Sequence, residues 1–309
     1  MQLAQLPLFF ILVLTTGTSA ASELSINTLP LPLRGGKNSG IRSASQLEET
    51  AHFTLRTSYL ARPLSVQSPG PSPEGNRTSV VEGAFIAEFA DVVLLGKGWD
   101  IGAGFSSHIY QWGQGPSAIE GGDAPLPSFA MGPPRVELGW GGSHKNYFRY
   151  RPYFSLNLPL GSPGTFSGGD TFLAELGSSF VGQHNWLEWS AQAGLLLRST
   201  SKFSATVWGP QLLFAAGIMA RLSTKILIGP ELHLQPLLSS QSSDDHLRGG
   251  QIFPAEFVGT LRYENSWIPV SLFAGTGIPL SKRASTQSRF VRAPGSPLFR
   301  LGVDVEAHF

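Results

Sequence analysis

In segment after segment of this chain, charge keeps to every second position. The final segment, FRLGVDVEAHF, shows it plainly: Phe299, Leu301, Val303, Val305, Ala307 and Phe309 share one face, and Arg300, Gly302, Asp304, Glu306 and His308 share the other. A period of two is a strand whose faces meet unlike surroundings. WDIGAGFSSHI sets Trp99, Ile101, Ala103 and Phe105 against Asp100, Ser106 and His108. NYFRYRPYFSLNLPL sets Phe148, Tyr150, Phe154 and Leu156 against Arg149, Arg151, Tyr153 and Ser155. LEWSAQAGLLLR sets Leu187, Trp189, Ala191 and Ala193 against Glu188, Ser190 and Gln192.

This pattern predicts about twelve strands, near 50–60, 80–92, 97–110, 133–142, 146–160, 169–181, 186–198, 207–221, 224–236, 250–263, 267–279 and 298–309. At roughly ten to fifteen residues they are long against the usual five or six. Their connections alternate. LLGKGW, GSHKN, VGQHN, RLSTK and YENSW are short, and the loops between them are long and polar. Pro152, Pro230, Pro254 and Pro269 fall within the expected spans, so bulges or shifted boundaries are expected there.

Long alternating strands with loops long at one end and short at the other predict an all-β, up-and-down antiparallel β-barrel that crosses the bacterial outer membrane. Hydrocarbon offers no hydrogen-bond partner, so a spanning sheet must close on itself. A charge at the midplane of its outer face costs about 2–4 kcal/mol. A soluble sandwich would also alternate, but it would have no reason for strands this long or for sided loops. With 36 glycines, 23 prolines and 14% charged residues, the composition suits strands and turns better than helices.

The chain opens with an apolar run, LPLFFILVLTTGTSA, that ends in small residues and reads as a secretory signal peptide over residues 1–21. Residues 22–48, rich in Ser, Pro, Gly and Asn, read as a flexible periplasmic leader, and residues 49–309 as the barrel. An even strand number puts both termini in the periplasm. The net charge of +1 gives no pull toward nucleic acid. The absence of cysteine excludes disulfides and thiolate chemistry.

Aromatic residues cluster at the strand ends, as expected at the two lipid–water boundaries. Trp99, Trp140, Trp189, Trp267 and Phe309 lie toward the short turns, and Tyr59, Tyr110 and Trp208 toward the long loops. The opposite parity lines the lumen: Arg56, Glu88, Asp100, Arg135, Glu137, Arg149, Arg151, Glu175, Glu188, Glu231, Glu256, Arg262, Arg300, Asp304 and Glu306. Desolvated charges must be paired. Neighbouring strands allow Arg135 and Arg149 to pair with Glu137 and Glu175, and Arg56 with Asp304 and Glu306. Such an interior either neutralises itself and holds the barrel together or forms a narrow charged pore.

The alternating last strand with its terminal Phe resembles the signal read by the outer-membrane barrel assembly machinery. VELGWGG, SLNLPLGSPGTFSGGD and GSPLFRLGVDVEAHF resemble the barrels of OmpA-family and porin-like proteins of myxobacteria and their relatives. The resemblance covers about residues 50–309 and implies architecture rather than chemistry. The peptidoglycan-binding domain common in that family has no counterpart after Phe309, so no cell-wall tether is expected.

No motif makes an enzyme of this barrel. Asp244, Asp245 and His246 in SSDDHL lack an acidic partner to hold an attacking water. Ser143 and His144 are adjacent, so their side chains diverge. Neither a cofactor nor a metal site is expected. The expected function is an integral outer-membrane barrel, structural or a narrow porin-like channel for small hydrophilic solutes. The alternative is a surface scaffold whose external loops bind a protein in adhesion, motility or export. An outer-leaflet hydrolase ranks third.

Overall fold

The computed structural model describes residues 37, 40, 42, 51–68, 76–115, 125–144, 148–162, 165–168, 172–203, 206–238, 252–282 and 290–309. Among them are twelve long strands: β1 (Ala51–Ser68), β2 (Asn76–Gly96), β3 (Trp99–Trp112), β4 (Arg135–Trp140), β5 (Phe148–Asn157), β6 (Leu173–His184), β7 (Leu187–Arg198), β8 (Gln211–Arg221), β9 (Ile226–Leu234), β10 (Ala255–Tyr263), β11 (Val270–Gly277) and β12 (Phe299–His308). Each pairs antiparallel with the next, and β12 returns to β1 over the run from His52↔His308 to Ala61↔Phe299. The sheet is therefore closed and has no free edge. No helix occurs among the described residues.

The parity read from the sequence becomes the inside and outside of the barrel. Phe257, Leu261, Leu272, Leu301 and Phe154 point outward and are exposed, whereas Arg56, Asp100, Arg151, Arg300 and Glu231 are buried inside. That is a protein turned inside out relative to a soluble core, with apolar side chains on the surface and charge within.

The short connections are tight. Between β2 and β3 the chain reverses through Gly96, Lys97 and Gly98 at φ of 94°, 52° and 84°, a left-handed run that two glycines make inexpensive. The termini of the barrel meet at this same end, where the Ala51 and Phe309 backbones exchange hydrogen bonds of 3.3 and 3.1 Å.

Three details depart from the sequence reading. First, the β1–β2 hairpin runs well past the expected boundary near residue 60, to Ser68 and Asn76. Pro63 does not end the strand, because Arg62 takes a positive φ of 45° and the register slips between Ala61 and Leu64. Second, Pro254 and Pro269 lie just outside strand ends, while Pro152 and Pro230 sit within β5 and β9. Pro230 makes no bulge: it pairs with Gly259 of β10, and the β8–β9 ladder skips it with its register kept. Third, the bulge falls instead between Phe85 and Ile86 opposite β3, which turns both Ile109 and Tyr110 outward while His108 and Gln111 stay buried.

Aromatic side chains gather at both ends of the barrel, and Trp208 is the exception. At the short-turn end Trp99, Trp189, Trp267 and Phe309 are exposed outward, and the half-buried Trp140 meets Tyr150 edge-on at 5.7 Å. At the other end Tyr59, Phe85, Tyr110 and Trp112 form one cluster, with Tyr59–Phe85 at 5.0 Å and Tyr110–Trp112 at 5.7 Å. Trp208 does not belong to the belt. It lies in a separate short hairpin (Ser201–Phe203 with Thr206–Trp208), so the parity of β8 does not extend to it. Its side chain is buried with Leu60, Leu64, Val80, Ile86 and Phe166 in an apolar cluster at the long-loop end.

Candidate functional site

The lumen is the site. Its floor is built from ion pairs that cross strands. Arg56 of β1 donates to Asp304 of β12 at 2.7 and 3.0 Å. Arg262 of β10 reaches past β11 to grip Glu306 at 2.6 and 2.8 Å. Arg300 pairs with Glu256, and Glu231 takes hydrogen bonds from Thr260 at 2.7 Å and lies 3.2 Å from His233. On the opposite wall Arg151 donates to Asp100 at 3.1 Å and to Glu137 at 2.7 Å. These side chains come inward because each sits at an even step from its neighbours on a strand. They stay inward because a carboxylate waits across the ladder.

The remaining sequence-predicted residues fall on the same face. Glu88 is buried, Arg135 is half-buried beside it along the cavity wall, and Arg149 shares the parity of Arg151 nearer the short turns. The pairing differs from the sequence reading in two respects. Glu306 is gripped by Arg262, while Arg56 pairs with Asp304. Glu137 and Glu175 do not take Arg135 and Arg149 as their ion-pair partners. Both take Arg42, which comes from the segment expected to be a leader, and Glu137 shares Arg151 as well.

Lys37, Gly40 and Arg42 lie within the barrel. Lys37 Nζ meets Glu188 at 2.6 Å near the short-turn end. The Gly40 amide donates to Glu231 at 2.9 Å. Deeper still, Arg42 donates to Glu137 at 2.9 Å, to Glu175 at 2.7 and 2.8 Å, and to the Tyr153 hydroxyl at 3.2 Å. Its guanidinium stacks 4.1 Å from the Tyr153 ring, and Tyr153 in turn donates to Glu175 at 2.6 Å. Burial works against the charge on Arg42, and the paired carboxylates of Glu175 and Glu137 offset it. The rest of residues 1–48 lies outside the described residues, as do Asp244, Asp245 and His246.

Between Arg42 and the apolar cluster at the long-loop end remains a cavity of about 190 Å³. Glu88, Arg135, Glu175, Arg198, Gln211 and His233 line it. It offers both signs of charge and amide groups to a small polar guest.

Sequence reasoning missed Arg42, Tyr153 and Gln192 as a set. The available signal for Tyr153 and Gln192 was parity: both sit on the charged face of their strands.

No protein-family model and no curated protein matches this sequence. Solved structures do. An outer-membrane channel from Pseudomonas putida is similar with a TM-score of 0.60 over 87% of this chain and 100% of that one, at 11% identity. This is a bacterial outer-membrane barrel fold. The NanC porin (TM-score 0.48, 8% identity, 83% of this chain and 98% of that one) and the KdgM porin (0.45, 10%, 84% and 99%) are more distant.

Proposed function

We propose that this chain is an integral outer-membrane protein whose barrel forms a narrow passage for small hydrophilic solutes, held closed at rest by its own N-terminal segment. In this reading the signal peptide is cleaved, both termini are periplasmic, and the last strand is what the assembly machinery reads. The outer surface faces lipid, and no catalytic step is involved. The observation that carries the reading is the charged interior with a polar cavity, beside which Lys37, Gly40 and Arg42 are held by ion pairs and hydrogen bonds. Polar contacts of this kind exchange with water more readily than a packed apolar core, so the stopper is removable in principle.

A permanently closed scaffold is the second reading. The apolar cluster of Leu60, Leu64, Phe166 and Trp208 at the mouth favours it, because packed apolar side chains resist polar solutes. External loops would then carry the function by binding a surface partner. The resemblance to OmpA-family barrels read from the sequence would belong with this reading, since it implies architecture more than transport.

Conductance of the refolded full chain in planar bilayers tests the choice. A passage gives small, discrete current steps that grow when residues 22–48 are deleted. A scaffold gives no steps with or without that segment, and this result would overturn the channel proposal.

A further inference from the structure

At the short-turn end, where the first and last strands close the ring, two histidines and a carboxylate face one another. We propose that His52, His308 and Glu306 bind a divalent transition-metal cation of the zinc class, which ties β1 to β12.

The strand register creates the cluster. His52 and His308 are direct cross-strand partners. Glu306 lies two residues before His308 on the same strand, so both point to the same face. Nε2 of His52 and Nε2 of His308 each lie 3.5 Å from Oε2 of Glu306. The ring centroids are 4.7 Å apart and the planes meet at 59°, so the rings converge rather than stack. All three ligand atoms fall within 4.8 Å of one another. Ligands at about 2.0–2.2 Å from a tetrahedral zinc ion stand roughly 3.3–3.5 Å apart, so a small inward turn of the imidazoles completes the set.

A second observation points into the same space. His52 is 4% exposed, and its Nε2 is buried without a hydrogen bond. A buried ring nitrogen in that condition is costly unless something takes its lone pair or proton. The Glu306 oxygen at 3.5 Å is too far to do so. A cation between them satisfies it.

The surroundings fit a metal of intermediate softness. Arg262 donates twice to Glu306 and fixes the carboxylate plane, as hydrogen-bonded outer groups do around metal ligands. Each carboxylate oxygen has a further lone pair, so Oε2 serves Arg262 and a metal together. Two neutral imidazoles, one carboxylate and Arg262 sum to no net charge before the ion arrives. The affinity is therefore below that of thiolate sites, and imidazole favours zinc, nickel or copper over magnesium and calcium. The His308 side chain is 23% exposed, which leaves an entry path and a fourth position for water.

The consequence is mechanical. The seam between β1 and β12 joins the two ends of the barrel sequence, and beyond it the Ala51 and Phe309 backbones pair at the edge of the ring. A metal there staples the closure and stabilises the folded barrel in proportion to its occupancy.

The test is zinc binding by the refolded full chain in detergent, without a histidine tag, read by equilibrium dialysis and atomic absorption. Cobalt absorption serves as a second probe, and the thermal unfolding midpoint is followed by gel mobility. The wild type is expected to take up one zinc saturably and to unfold at a higher temperature with zinc present. His52→Ala and His308→Ala should each weaken uptake by more than about tenfold and remove the thermal gain. His184→Ala, at an exposed turn, should behave as wild type. If His52→Ala fails to fold, His308→Gln at the exposed edge gives the same reading. Zinc uptake that survives both substitutions, or that the wild type never shows, overturns the proposal.

Discussion

Arg56 and Asp304 face each other across the seam that closes the barrel, joined by paired hydrogen bonds of 2.7 and 3.0 Å, and both are buried. They are exact register partners on β1 and β12. The Phe273 ring lies 4.9 Å from the guanidinium and shields the pair from the rest of the lumen. A sheet that must close thus has a fully desolvated salt bridge at the joint, where pairing one residue off would leave two charges stranded.

Removing one partner should therefore cost more than removing both. Arg56→Ala strands Asp304 in a buried site and is expected to destabilise the barrel by about 3–5 kcal/mol. The double variant Arg56→Met with Asp304→Leu should recover most of that loss, since neither charge is left unpaired. Urea unfolding of the two variants in lipid vesicles measures the difference. Equal losses in both would mean that the pair acts through packing rather than charge.

Opening the lumen is predicted from Arg42. Arg42→Ala deletes the contacts to Glu137, Glu175 and Tyr153 at once and should free the segment that includes Lys37 and Gly40. The expected outcome is a larger unitary conductance in planar bilayers, with the barrel itself still folded on gels. Glu137 keeps Arg151 as a partner and so is not left bare. Glu175 keeps Tyr153 and Gln192 within hydrogen-bond reach.

The contrast between Arg56 and Arg42 also shows what was legible in the sequence. The twelve strands, their faces and the Arg56–Asp304 pair follow from parity, because a residue on a strand has only two directions to point. Arg42 has no such frame. It sits in a Ser- and Gly-rich stretch without periodicity, and its partners lie 95 and 133 residues away. Trp208 failed for a related reason: an aromatic near a strand end reads as belt only if the strand reaches it, and here a separate hairpin intervenes. The first strand was expected to end near residue 60, yet it runs on past Pro63 because a bulge at Arg62 absorbs the proline. Alternation reports the environment of a face, and it is silent about segments that enter the barrel from outside the sheet.

The outer face gives a depth-dependent prediction. Leu272 of β11 points outward between its register partners Leu261 and Val303, well inside the apolar band. Leu272→Arg should cost about 2–4 kcal/mol, whereas Trp267→Arg at the short-turn edge should cost about 0–1 kcal/mol. Reversible unfolding from lipid vesicles separates the two. Similar costs at both positions would contradict a hydrocarbon surround.

Inside, bulk is limited where arginines cross. Gly139 of β4 faces the lumen beneath the Arg151 guanidinium, and a methyl group added there would overlap that guanidinium. Arg151 cannot move away cheaply, because it holds both Asp100 and Glu137. Gly139→Ala should therefore break part of this network and destabilise the barrel by about 1–3 kcal/mol, the usual cost of overpacking. Gly259 provides the control, since it faces outward and the nearest atom to an added methyl is the Ala274 carbonyl oxygen at 4.0 Å. Gly259→Ala should be neutral or slightly stabilising, because alanine lowers the entropy of the unfolded chain. Unfolding midpoints of the two variants decide it: a harmless Gly139→Ala would mean that Arg151 has room to shift, and that the charged wall is looser than its short hydrogen bonds imply.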